Sequence, residues 1–136
     1  MTQILLPCAA LALLTMLVWV ALYFERIKEM RARRIKPQAL ASARAVSQTL
    51  QNLNAADNFR NLFEVPVLFY VLCLALLVSQ LANSFDLIAA WGFVVLRALH
   101  SLIHLTYNRV MHRFIAYAAS TVLLWVWWLS FAIRLL

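Results

Sequence analysis

The chain has one glycine, three prolines and two cysteines among its 136 residues, and only five acidic side chains. With a single glycine and 65% hydrophobic residues, the composition is not that of a soluble domain. Charge is nearly missing from four runs: Ile4–Phe24, Val65–Ala82, Phe85–Leu105 and Phe114–Ile133. Little more than fifty residues lie outside them, too few for a separate soluble domain with its own core. The two thiols, Cys8 and Cys73, both fall inside apolar runs. A cysteine there is usually a small hydrophobe. Nothing in the sequence brings the two together, and they carry no information about compartment. Internal repeats and low-complexity segments are also absent.

What is present reads as a membrane protein. Each apolar run is about long enough to cross a hydrocarbon core of roughly 30 Å as a helix. The expectation is an all-α protein, a four-transmembrane-helix bundle forming one integral membrane domain over residues 1–136. Its helices enclose too little volume for a large cavity, so a homo-oligomer with a site between subunits is expected.

The net charge of +7 is concentrated. Six of the twelve basic residues crowd into Arg26–Lys36, directly after the first run. That juxtamembrane pattern attracts anionic lipid headgroups and argues against a nucleic-acid partner. No basic residue precedes the first run, which reads as a retained span rather than a cleaved leader. The connection 25–61 and the connection Thr106–Arg113 together hold ten Lys or Arg, against Arg134 alone on the opposite side. The positive-inside rule then makes both basic connections cytoplasmic and turns both termini outward.

In the long connection, Leu40, Ala43, Val46, Leu50 and Leu53 recur every three or four residues. This spacing predicts an amphipathic helix from about Pro37 to about Leu53. The basic run before it is expected to extend the first helix past the headgroups.

The ionisable residues within the spans gather, on this reading, at one depth near the cytoplasmic face. Arg97, His100 and His104 form a stripe spaced three and four on the third span, continued by Asn108. Arg60, Asn61 and Glu64 stand at the mouth of the second span, Arg113 and Tyr117 at that of the fourth. Ionisable groups at membrane depth are costly and point to function. Glu64 and Arg97 pairing with each other would explain one pair, but not the rest of the constellation. Arg60, Arg97, Arg109 and Arg113 outnumber Glu64 and Asp57, and guanidinium forks suit carboxylates and phosphates. An anionic ligand carrying one ammonium group would balance such a site, as a zwitterionic peptide with excess carboxylates does. Two histidines four apart can share a metal, but no third histidine or acid cluster joins them inside the spans, and no metal is expected. His112, in the short connection, is expected to be solvated. Trp19, Trp91, Trp125, Trp127 and Trp128 read as packing or interface anchors.

These residues resemble a known family, the membrane-associated proteins in eicosanoid and glutathione metabolism (MAPEG), in its compact bacterial branch. The resemblance lies in Arg60-Asn61-Leu62-Phe63-Glu64-Val65-Pro66, in Arg97-Ala98-Leu99-His100-Ser101, and in Arg109, Arg113 and Tyr117. It implies a homotrimer in the bacterial inner membrane that binds glutathione as cosubstrate between subunits near the cytoplasmic face. Arg60, Asn61, Glu64, Arg97, His100 and Tyr117 would hold the tripeptide, with His104 beside them and Arg113 as the catalytic residue next to the thiol. Two positions depart from the pattern. His104 stands where relatives often carry a tyrosine. Phe114 follows Arg113, where the prostaglandin-synthesising branch has a serine. The implied function is a glutathione transferase or peroxidase acting on lipophilic substrates. The alternative is a non-catalytic membrane subunit that binds lipid or scaffolds a larger complex.

Overall fold

Inside a bilayer, backbone N–H and C=O groups find no water, so each apolar run satisfies its own hydrogen bonds as a helix. The computed structural model, which describes residues 2–136, contains four helices long and apolar enough to span. The first is α1 (Leu5–Arg33), entered through a single turn at Thr2–Ile4. The short α2 (Ala43–Thr49) follows, then α3 (Asn54–Asn61), which leads into α4 (Val65–Val78). The last two are α5 (Ser84–Leu105) and α6 (Val110–Leu135). Among the described residues there is no strand.

The basic run does extend α1, which continues to Arg33. The long connection differs from expectation. A turn at Pro37–Leu40 and the seven-residue α2 replace one continuous amphipathic helix. The break falls at Ser42, whose extended backbone (φ −136°, ψ 160°) lets its hydroxyl accept from the Ala45 N–H. A good N-cap restarts a helix rather than continuing one. Glu29 then ties the connection to α1. Its carboxylate accepts from the backbone N–H groups of Gln51 (2.7 Å) and Asn52 (3.3 Å) and from Arg33 (2.7 Å).

The second span is also interrupted. Pro66 is the second residue of α4, and Glu64, the residue capping that helix, has φ −95° and ψ −105°. Proline lacks the N–H that would bond the Leu62 carbonyl four residues back, and its ring crowds that carbonyl, so α3 and α4 meet at a break over residues 62–64.

With one glycine in the chain, the left-handed positions that follow helices fall to other residues. Arg34 (φ 53°), Gln80 (φ 58°) and Asn108 (φ 46°) hold them. Gly92 serves packing instead. A Cβ there would meet Leu123 Cδ2 at 3.3 Å, so α5 and α6 lie closely side by side.

The core runs along the bundle axis through Leu11, Phe69, Leu72, Leu76, Phe93, Leu124 and Trp127. Phe69 stacks on Phe93 with ring centres 4.8 Å apart. Helix α1 buries only a thin stripe, Pro7, Leu11, Val18 and Leu22. Near that stripe the Cys8 thiol donates to the Ile4 carbonyl at 3.6 Å, and Cys8 packs against the core cluster that contains Cys73.

The expectation of a single polar level is corrected at the other end of the bundle. Asp86, within the third apolar run, is fully buried. Its carboxylate accepts from both terminal nitrogens of Arg134 (2.7 and 2.9 Å), from Trp127 Nε1 (2.7 Å) and from the Asn83 N–H (2.8 Å). The Asn83 side chain returns a bond from the Asp86 N–H at 3.2 Å, completing a capping box that starts α5. Trp127 is thus a packing residue, as one of the two readings had it, and a buried hydrogen-bond donor as well.

Candidate functional site

At the end carrying the basic connections, three buried side chains of α5 turn inward together. Arg97 is 0% exposed, His100 2% and His104 1%. Their spacing of three and four puts them on one helical face, as the sequence implied. Hydrogen bonds at Asn58 and Asn54 fix α3 beside that face. The Ser101 hydroxyl donates to Asn58 Oδ1 (3.0 Å), and Asn108 Nδ2 donates to Asn54 Oδ1 (2.8 Å). Asn58 and Asn54 were not singled out in the sequence. Their spacing of four on one helix face is the only signal they offered.

No inward group meets an anion. Arg97 Nη2 donates to the Asn61 carbonyl at 2.7 Å, and its guanidinium lies 5.3 Å from the centre of the Tyr117 ring. His100 Nδ1 lies 3.0 Å from the Arg113 carbonyl. A carbonyl only accepts, so Nδ1 carries the proton there, and in the neutral ring Nε2 is a free acceptor. Arg113 Nη1 reaches Asn108 Oδ1 (2.9 Å) and His104 Nε2 (3.2 Å). A guanidinium only donates, which leaves the His104 proton on Nδ1.

Four buried nitrogens then have no partner: Arg97 Nε, Arg97 Nη1, His100 Nε2 and His104 Nδ1. Buried polar atoms are normally satisfied, because an unpaired one costs about 1–3 kcal/mol and a charged one more. Neither Arg97 nor Arg113 forms an ion pair among the described residues. The Glu64–Arg97 pair that would have made this network self-contained is not formed. Beside these groups opens a cavity of about 160 Å³ lined by Asn61, His100, Val110, Arg113, Phe114 and Tyr117.

Two of the predicted site residues lie elsewhere. Arg60 and Glu64 are exposed and line a separate groove of about 490 Å³ with Trp19, Tyr23 and Arg26 of α1. Four residues apart, they would share a face on one continuous helix. Although the backbone breaks over 62–64, both still open on this one groove against α1, away from Arg97. Arg60 instead lies 3.7 Å from Asp57 in a solvent-facing pair of little energetic weight. His112 is exposed, as expected, and its Nδ1 lies 3.1 Å from the Tyr107 hydroxyl.

The site is therefore a cationic, donor-rich crevice with one free imidazole acceptor, suited to a carboxylate-bearing molecule. The family model of the MAPEG family matches residues 4–133, nearly the whole chain. The protein belongs to the MAPEG family. No curated protein and no solved structure matches it. Membership agrees with the four apolar helices and makes this MAPEG chain an integral membrane protein. The Arg60–Pro66 and Arg97–Ser101 segments that carried the resemblance lie within the matched residues.

Proposed function

We propose that this MAPEG protein is a glutathione-dependent transferase or peroxidase acting on lipophilic electrophiles or lipid hydroperoxides. The observation that carries the reading is the set of four partnerless buried nitrogens on Arg97, His100 and His104, next to Arg113. Glutathione offers two carboxylates, one ammonium and a thiol. On this reading Arg97 and the neighbouring donors take a carboxylate, with Asn61 and Tyr117 flanking it. Glu64 takes the ammonium, and Arg60 adds a second cation.

Arg113 acts on the sulfur. A guanidinium beside a thiol favours the thiolate, which is the nucleophile. In the transferase reaction that sulfur attacks an electrophilic carbon. In the peroxidase reaction it attacks the terminal oxygen, the O–O bond breaks, the lipid alkoxide takes a proton and leaves as an alcohol, and the glutathione sulfenic acid condenses with a second glutathione to a disulfide and water.

A cavity of about 160 Å³ falls below the range of roughly 300–1,000 Å³ usual for small-molecule sites. Arg60 and Glu64 also face a different groove. Both observations support a homotrimer in which the α1-side groove of one subunit completes the cavity of the next. Ten basic residues against one support a cytoplasmic site, with both termini periplasmic in a bacterial inner membrane. The hydrophilic thiol then arrives from the cytoplasm and the apolar substrate from the bilayer.

The test is thermal. Glutathione at 100 times its dissociation constant stabilises a one-site protein by about 2.7 kcal/mol, so the detergent-purified protein should melt several degrees higher. Arg113→Ala should abolish turnover of a lipophilic electrophile while assembly, read by size-exclusion chromatography, is unchanged. No thermal shift at millimolar glutathione would overturn the reading in favour of a non-catalytic membrane subunit.

A further inference from the structure

Asn108 lies in the turn between α5 and α6, outside both helices. The turn fixes its backbone. Its φ of 46° falls in the left-handed region, which asparagine tolerates better than most residues, and its N–H donates to the Ile103 carbonyl at 2.8 Å. The side-chain amide is used at both ends. Oδ1 accepts from Arg113 Nη1 at 2.9 Å, and Nδ2 donates to Asn54 Oδ1 at 2.8 Å. A guanidinium only donates, so the amide oxygen must face it. Asn54 opens α3, where its own N–H donates to Asn52 Oδ1 at 3.1 Å. A chain of hydrogen bonds thus runs from α3 through the turn to the start of α6.

The acceptors that hold the Arg113 guanidinium are uncharged. They are Asn108 Oδ1 and His104 Nε2, the latter at 3.2 Å, and both meet the same nitrogen, Nη1. With Nε2 accepting, the His104 ring is neutral. Arg113 borders the cavity, where His100 and Tyr117 also line the wall. The one carboxylate of α3, Asp57, lies 3.7 Å from Arg60, and no acid pairs with Arg113 among the described residues. Neutral acceptors fix a cation and leave its charge in force, whereas a carboxylate at the same place would balance it.

We propose that Asn108 is the positioning residue of the site: anchored by Asn54, it aims Arg113 at the bound thiol, and its lack of charge leaves the guanidinium free to favour the thiolate. The inference rests on the reading of Arg113 as the group beside the glutathione sulfur. Asn108 itself touches no substrate and acts through Arg113. Aiming and charge are separable, because an aspartate keeps the oxygen and adds the charge.

The experiment follows glutathione on the full-length, detergent-purified protein. Its thermal shift reports binding, the ultraviolet absorbance of the thiolate against pH reports the state of the sulfur, and turnover of chlorodinitrobenzene reports catalysis. In Asn108→Asp the thiolate signal should appear about one pH unit or more higher, with the thermal shift retained. Asn108→Gly keeps the left-handed backbone without strain and removes the amide. Its turnover should fall about 10–100-fold while KM for glutathione stays within about threefold of the unsubstituted value. Asn54→Ala removes only the far anchor and should give a smaller fall of the same kind; it decides the matter where a variant at 108 fails to fold. A purely structural asparagine would lower the melting temperature and leave the thiolate titration where it was. An unmoved titration in Asn108→Asp, or unchanged turnover in both Asn108→Gly and Asn54→Ala, would overturn the proposal alone. Absence of any glutathione thermal shift in the unsubstituted protein would instead remove the underlying reading, and the proposal with it.

Discussion

Asp86 and Arg97 sit on the same helix about three turns apart, and neither shows any surface to solvent. Their surroundings differ completely. Asp86 receives four hydrogen bonds from Arg134, Trp127 and Asn83, and its charge is answered by a bidentate guanidinium. Arg97 has one bond, to a neutral carbonyl, and two nitrogens with no partner. The histidines below it add two more open atoms. A buried charge is tolerable when fully paired and hydrogen-bonded. The Asp86 cluster meets that condition within the chain and is a structural clasp joining α5 to α6. The Arg97 cluster meets it only if something from outside supplies the anion. The contrast separates a charge kept for folding from one kept for binding.

The largest expected effect comes from breaking the clasp. Arg134→Ala leaves the Asp86 carboxylate buried without its counter-charge, a loss of about 3–5 kcal/mol. Thermal unfolding in detergent should show a large drop in melting temperature. The same operation at the open end should give the opposite sign. Arg97→Met removes an uncompensated buried cation and fills its place with apolar volume, so stability without ligand should be unchanged or higher. The stabilisation by glutathione, about 2.7 kcal/mol at 100 times the dissociation constant, should vanish. A loss as large as that of Arg134→Ala would show that Arg97 is structural too. The smallest effect sharpens the clasp side alone. Gln80, in the turn between α4 and α5, carries a left-handed φ of 58° that glycine adopts freely. Gln80→Gly should stabilise by about 1 kcal/mol, read as a rise of a few degrees.

The spans were legible because hydropathy alone decides which segments enter a bilayer. The inner stripe Arg97, His100 and His104 was legible because helical spacing survives in an unbroken helix. Where helices break, spacing misleads. Arg60 and Glu64 read as part of the inner site, yet the turn ahead of Pro66 leaves both exposed in a groove against α1. The helix read across Pro37–Leu53 splits at Ser42, a capping residue whose effect the apolar periodicity hides. The clasp was missed because Arg134 read only as a flanking charge and Asp86 vanished into an apolar run. The pattern Asn83-x-x-Asp86 is a capping signature and was the available clue.

Pro66 makes no contact with the crevice chemistry, yet it governs what Arg97 meets. Through the break it imposes, the proline keeps the Val65 N–H from the Asn61 carbonyl four residues back, and that oxygen is the one acceptor Arg97 holds. An alanine there would let the two segments fuse, and the spine of the repaired helix would reclaim the oxygen. The guanidinium would then lose its single anchor and swing free. A ring that only interrupts a helix thereby aims a cation on another.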